Sequence, residues 1–265
     1  MQDDILNLTF PKSWNDLSHT QLKNISHQLE SYHTLVKDSP EVEAINATTL
    51  YFQLSKEILR HNPWRSIRIA LKEIQPIAFK TFTEFLFKNN TRTNFIEKVK
   101  INGVKYYAPA PRLRNSTIAE FAFIDAAYYK WKQTHNNIWL SVLCAAMYRE
   151  ATPELNEIDI RKPFIKQAVD VRADAFQTLD IKTRLAIAYT YEGCRQHIAN
   201  TFPLIFPKPI ITEDSTALNQ KYVGFGEIIL DKIEGDPSKL QTTNNVMLYD
   251  FLAIYNNDIK KLPKK

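Results

Sequence analysis

The sequence predicts a mainly all-α fold: a multi-helix, bundle-like globule carrying one small β-hairpin. Three observations point to it. Apolar residues recur at spacings of three and four over most of the chain, the period that turns one face of a helix inward. Several of these runs open on helix-start residues, with Ser, Thr or Asp in front and Gln, Glu or Pro just inside. One stretch, Phe95 to Ala108, alternates with period two around a turn dipeptide.

Residues 1–17 read as irregular, with Leu6, Leu8 and Phe10 ahead of Pro11. Ser18-His19-Thr20-Gln21 reads as a capping box. Leu22, Ile25, Leu29 and Tyr32 continue it as a helix to about Val36. Ser39-Pro40-Glu41 supplies an N-cap, a proline at the first helical position and an acid in the first turn. That second helix runs to about His61, and the short link makes an antiparallel helical hairpin. Pro63 and Pro76 bracket a shorter basic helix carrying Arg65, Arg68 and Lys72. Ile77 to Lys88 reads as one further helix, rich in Phe79, Phe82, Phe85 and Phe87.

Asn102-Gly103 between alternating residues is the signature of a type I′ hairpin. A two-residue turn pairs Ile101 with Val104 and Val99 with Tyr106. Val99, Ile101, Val104 and Tyr106 then share one face, and Lys98, Lys100, Lys105 and Tyr107 share the other. A lone hairpin is marginal, so the apolar face must dock on helices or on a partner.

After Pro109-Ala110-Pro111-Arg112, Thr117 and Glu120 read as another capping box. From Ile118 to Tyr129 only Glu120 and Asp125 are charged, and Ile138 to Tyr148 is interrupted only by Ser141. This predicts two central helices, 117–132 and 137–148, apolar nearly all round and buried. A polar loop from Glu150 to Asp159 leads to a helix starting near Pro163. Asp180 is an N-cap for the next, with Ile187, Tyr191, Cys194 and Ile198 as its stripe. Pro203, Pro207 and Pro209 end that element. Two more helices, roughly 216–234 and 243–261, precede a basic tail.

With 265 residues there is room for one large domain or two small ones. The sequence reads as a single, mainly helical domain over 1–265. A subdivision into 1–92, the N-terminal helical hairpins, and 93–265, the β-hairpin with the helical core, stays open. Hydrophobic residues at 44% and charged residues at 24% argue against widespread disorder. The net charge of +5, from 34 basic and 29 acidic residues, is too mild to imply a nucleic-acid partner by itself. Cys144 and Cys194 lie in apolar helical stretches and fit a reducing compartment. Met1-Gln2-Asp3-Asp4 has no apolar run of a signal peptide. The apolar window at 138–148 is far short of the about 20 residues of a membrane span. The expectation is a cytoplasmic or virion protein with no membrane partner.

The five glycines, Gly103, Gly193, Gly224, Gly226 and Gly235, form no phosphate-binding cluster. Gly224-Phe225-Gly226 lacks the third glycine of a dinucleotide fingerprint and reads as helix or turn. His19, His27, His33, His61, His135 and His197 are scattered, with no pair at metal-ligand spacing. No cofactor and no metal is therefore expected.

Asp125 stands among Phe121, Phe123, Ile124, Ala126 and Tyr128, surroundings suited either to proton transfer or to a buried ion pair. Arg149-Glu150 and Asp159-Ile160-Arg161-Lys162 put charges at a helix end and a helix start. They read as an anion site or, more simply, as charges that cap helices and lock a corner. Asp170 and Asp174 share a helix face, which suits a divalent cation or, with Lys166 and Arg172 alongside, a solvated mixed-charge surface. The hairpin's basic face, Lys98, Lys100, Lys105 and Tyr107, with Arg112 and Arg114 close behind, is the candidate interaction surface. A two-stranded ribbon can enter a groove, and an aromatic among lysines can stack on a base. The same lysines also suit a face protected from edge-to-edge aggregation.

Three stretches together carry a family likeness: Glu120-Phe121 through Tyr148-Arg149, Asp159-Ile160-Arg161-Lys162-Pro163-Phe164, and Tyr191-Glu192-Gly193-Cys194-Arg195 to Phe206. The opening Leu8-Thr9-Phe10-Pro11-Lys12-Ser13-Trp14-Asn15-Asp16-Leu17-Ser18 adds to it. The pattern resembles helical proteins of Bacteroidetes phages and prophages that are met near tail genes. It covers most of the chain and rests on apolar spacing and a few charged corners. That family has no established active site, so the resemblance assigns no catalytic residue. It implies a non-enzymatic protein of virion or tail assembly, one version being a tail-assembly chaperone that shields apolar segments of a tape-measure protein. The hairpin and the Phe-rich stretch 77–88 would be its contact elements, and a virion or tail component its partner. The alternative is a nucleic-acid-binding protein using the hairpin at 95–108.

Overall fold

A computed structural model describes residues 7–39, 43–152, 159–207 and 224–261. The acidic N-terminus, the expected Pro40-Glu41 helix start, part of the expected 150–159 loop, Pro209, residues 216–223 of the expected 216–234 helix and the end of the basic tail lie outside them. The fold is mainly helical with one antiparallel two-stranded hairpin. The chain divides into two compact units, Met1–Thr93 with Asp180–Gly193, and Asn94–Leu179 with Cys194–Lys265.

The first unit holds α1 (His19–Asp38), α2 (Glu43–Ile58), α3 (Trp64–Glu73), the short α4 (Lys80–Thr83) and, up to Gly193, the long helix α8 (Ile181–Thr201). The capping box forms as read. The Ser18 hydroxyl accepts from the Gln21 N–H at 3.3 Å, and the Ser18 N–H donates to Gln21 Oε1 at 3.0 Å. Leu22, Ile25 and Leu29 bury one face of α1, which packs on α2.

Asp180 caps α8 by accepting from the Thr183 N–H at 3.1 Å. The start of α8 is then tied into this unit. Tyr189 OH donates to Glu30 at 3.3 Å, and Asn90 donates to the Tyr189 carbonyl at 2.7 Å. At Gly193 a Cβ would lie 2.1 Å from the Arg92 carbonyl oxygen, so no side chain fits without moving backbone.

The Phe-rich stretch is not one helix. It breaks into 3-10 turns at Pro76–Phe79 and Glu84–Leu86 around α4. Two bonds favour the break. The Thr83 hydroxyl donates back to the Phe79 carbonyl at 3.1 Å, and the Trp14 indole takes the Phe85 carbonyl at 3.1 Å.

The second unit holds β1 (Lys98–Ile101), β2 (Val104–Tyr107), α5 (Ile118–Thr134), α6 (Asn137–Met147), α7 (Ala168–Gln177), the rest of α8, α9 (Phe225–Lys232), α10 (Leu240–Asn244) and α11 (Leu248–Lys261). The hairpin has the expected register, Ile101 opposite Val104 and Val99 opposite Tyr106. Asn102 and Gly103 both have positive φ, 49° and 85°, as a type I′ turn requires. Val99, Ile101 and Tyr106 are buried, whereas Val104, at the turn, is 40% exposed and departs from the expected apolar face. α5 and α6 are the two buried central helices, joined through His135 in the left-handed region at φ 51°.

Three further expectations change in this unit. Thr117 caps α5 by accepting from the Glu120 N–H at 3.2 Å, but the Glu120 carboxylate turns to two arginines instead of closing a capping box. α7 begins at Ala168, not near Pro163. Thr152 N–H to Ile160 carbonyl and Lys162 N–H to Glu150 carbonyl, both 2.8 Å, hold 160–162 extended, and a residue before proline disfavours helix. The last helix starts at Leu248 rather than 243, because 245–247 leaves α10 to pair with the entry to α5. There Ile118 N–H donates to the Val246 carbonyl and Leu248 N–H to the Ser116 carbonyl, each at 2.9 Å. No described helix is long and apolar enough to cross a membrane.

Candidate functional site

The hairpin register sets the first candidate surface. Lys100 and Lys105 are direct cross-strand partners, and Lys98 faces Tyr107. Two residues out from a two-residue turn is a non-hydrogen-bonded position, where facing side chains approach most closely. Like charges there repel. All three lysines are exposed, and among the described residues none has a carboxylate partner. Tyr107 is half-buried, and its backbone exchanges two hydrogen bonds with Arg149, at 2.7 and 3.2 Å. Beside it runs a cleft of about 590 Å³ lined by Phe95, Lys98, Tyr107, Pro111 and Ile160.

Arg112 and Arg114 do not line that cleft. The backbone between Ala110 and Arg114 turns through positive φ at Arg112 and Leu113, 62° and 60°. This sets the Arg112 carbonyl to accept from Tyr249 OH at 2.9 Å. Both arginines act on His197, whose imidazole is held below its ordinary pKa first by burial and then by these two charges. The Tyr249 hydroxyl is pushed up to about 12 by burial. The structure thus keeps the three lysines on one face and engages the two arginines with α8 and α11 residues.

The charged corner lies inside the second unit. Glu120 Oε1 sits 2.8 Å from Arg149 and 3.0 Å from Arg161. Asp159 Oδ2 sits 2.8 Å from Arg161 and 3.3 Å from Arg149. Both arginines and Glu120 are buried. Burial alone would lower the Arg161 pKa, but Glu120 and Asp159 outweigh it and hold the guanidinium above its ordinary range. Arg172 is pulled down, by burial and then by the charge of Arg149.

These three arginines also end α6. Arg172 donates to the Ala145 carbonyl at 2.6 Å, Arg149 to Ala146 at 3.3 Å and Arg161 to Met147 at 2.7 Å. Those carbonyls are the ones a helix C-terminus leaves unpaired. The corner therefore serves as a helix cap, and two internal carboxylates fill the places an outside anion would take.

Asp125 is fully buried and paired with Arg195 at 2.7 Å, which removes the solvent access that proton transfer to a substrate needs. Asp170 and Asp174 are exposed, and Asp174 accepts from Gln177 at 3.2 Å. Among the described residues no group of His, Cys, Asp and Glu could hold a metal ion. A cleft of about 810 Å³ between α5 and α9 has Lys166 and Glu227 as its ionisable lining residues.

Two exposed features remain: the Phe-rich stretch expected as a contact element, now with a facing wall the sequence reading did not assign, and one tryptophan that it did not single out. Phe10 stacks on Phe82 with ring centroids 4.3 Å apart, at the edge of a groove of about 550 Å³ lined by Leu8, Phe10, Pro11, Phe82 and Phe85. Phe82 and Phe87 stay 41% and 43% exposed. The alternation Leu8, Phe10 before Pro11 was the available signal for the facing wall. The second feature is Trp64, 76% exposed at the start of α3.

Comparison with protein-family models, curated proteins and solved structures finds no match to this chain.

Proposed function

We propose that this chain is a non-enzymatic assembly or structural protein of phage or prophage type that works by binding another protein, most concretely as a tail-assembly chaperone acting in the host cytoplasm or in the virion. What supports the reading is the broken Phe-rich segment of the first unit. It leaves Phe82, 41% exposed, in the wall of an open groove, with Phe87, 43% exposed, on the same segment. Exposed aromatics grouped around a groove mark interaction surfaces in soluble proteins, and an apolar partner helix is the natural occupant. The hairpin's apolar face is a weaker contact element, because Val99, Ile101 and Tyr106 already serve the core of their own unit.

Copurification from the native host with crosslinking mass spectrometry tests this. Crosslinks from Lys80 or Lys88, which flank the groove segment, to a tail component are the expected result. A gene remote from any tape-measure or tail-tube gene, with no such crosslink, overturns it.

A second reading, binding of nucleic acid by the hairpin, is favoured by one observation: Lys100 faces Lys105 across the strands with Lys98 on the same side, an arrangement that repels itself until an anion joins it. Mobility shift of a duplex or single strand at low salt decides it, since non-specific binding alone shows at micromolar protein.

A further inference from the structure

We infer that α3 is a contact site for single-stranded nucleic acid, with Trp64 stacking on a base and Arg65, Arg68 and Lys72 meeting phosphates. The spacings of three and four put the three cations in one stripe along the helix. All three are exposed. Among the described residues neither Arg65 nor Arg68 has a carboxylate partner. Lys72 meets its neighbour Glu73 at 3.4 Å, with both side chains largely in water.

The helix is poorly built for its own sake. Pro63 gives no side-chain cap, no acid stands in the first turn, and Arg65 places a cation there, where the helix dipole opposes it. Arg65 with Arg68, and Arg68 with Lys72, are like-charge neighbours, each unfavourable. A row of phosphates along the stripe relieves these repulsions.

The choice of partner follows from where the apolar residues lie. Ala70 is fully buried, and Ile67, Leu71 and Ile74 are half-buried, so the apolar face of α3 is used by its own unit. The exposed apolar residues bracket the cations instead. Trp64 lies one turn before Arg68, and Ile69, 40% exposed, one turn after Arg65. A helix that lies in a bilayer surface needs its apolar residues together, opposite the charges, and α3 has no such face left. A flat indole beside a row of cations is instead the pair of features that sequence-tolerant single-strand sites combine, and an indole face needs an unpaired base.

The test is fluorescence anisotropy of a labelled oligothymidylate titrated with the full chain at low salt, beside the same length of duplex and beside anionic phosphatidylserine vesicles. Tighter binding of the single strand is expected. Trp64→Ala should weaken it about tenfold or more. Arg65→Gln with Arg68→Gln should flatten the slope of log affinity against log salt by roughly 1.4, about 0.7 for each phosphate no longer neutralised. Thermal melts should be unchanged in these variants, because the replaced side chains are exposed, so weakened binding is not explained by unfolding. No binding at micromolar protein overturns the inference. So does binding that Trp64→Ala leaves intact, binding that disappears only in Lys100→Gln with Lys105→Gln, or binding of the vesicles but not the oligonucleotide.

Discussion

The two units use buried guanidinium groups on backbone carbonyls in different ways. In the first, one guanidinium does the work: Arg92, buried, sends Nη1 to the carbonyls of Trp14, Asn15 and Leu17 at 3.0, 3.3 and 3.0 Å. In the second, three guanidiniums each take one carbonyl at the end of α6. Gathering three cations there requires anions, and Glu120 and Asp159 supply them. Even so Arg172 keeps a depressed pKa, from its burial first and then from the charge of Arg149. A cap made of several charges must thus be neutralised from within, and its parts become mutually dependent, because removing one partner strands the others in a buried site.

That difference sets the size of mutational effects. The largest is expected for Glu120→Ala, which leaves Arg149 and Arg161 without the carboxylate they share. A loss of about 3–5 kcal/mol is expected in urea denaturation. Arg92→Ala removes donors from neutral carbonyls and leaves no stranded charge at those contacts, so a smaller loss of about 1–3 kcal/mol is expected. If Arg92→Ala costs as much as Glu120→Ala in the same denaturation series, the distinction between the two caps fails.

The smallest effect belongs to a neutral cap, the Tyr249 hydroxyl on the Arg112 carbonyl. Its folded-state pKa, about 12, lies above the ordinary 10.0. The folded protein therefore holds this proton more tightly than the unfolded chain does. The stabilisation is fully present below pH 10 and is lost as pH rises toward 12. Tyr249→Phe should remove that alkaline loss and also the tyrosinate absorbance that rises toward pH 12. An alkaline profile identical to that of the parent protein would show that Tyr249 does not hold this proton.

Local signals in the sequence carried a good part of the fold. The Ser18–Gln21 capping box, the Asn102-Gly103 register and the two buried central helices each depend on residues within a turn or two. What was hidden depends on distant partners. The 77–88 helix is broken where Trp14 takes a carbonyl from it. Glu120 leaves its own cap for arginines far along the chain. The Pro163 helix start gives way to a ladder with 150–152.

The candidate surface divides along the same line. Lys98, Lys100 and Lys105 are fixed by strand alternation alone. Arg112 and Arg114 lie on a turn through two positive-φ residues that no glycine announces, and their charges act on His197. Trp64 was hidden in another way: the sequence showed the cations of α3, but exposure of the indole depends on which face the rest of the unit covers.

The membership of Asp180–Gly193 in the first unit has a consequence for synthesis. The piece that carries Tyr189, and the glycine that fits against Arg92, are made long after residues 1–93. At ordinary elongation rates the ribosome needs roughly 5–20 seconds to pass from Thr93 to Gly193. Through that interval the α1–α2 pair can form from local contacts, but the surface awaiting Tyr189 has no cover. The nascent N-terminal unit is thus born incomplete, and it is during elongation, before α8 emerges, that it is most exposed to wrong associations.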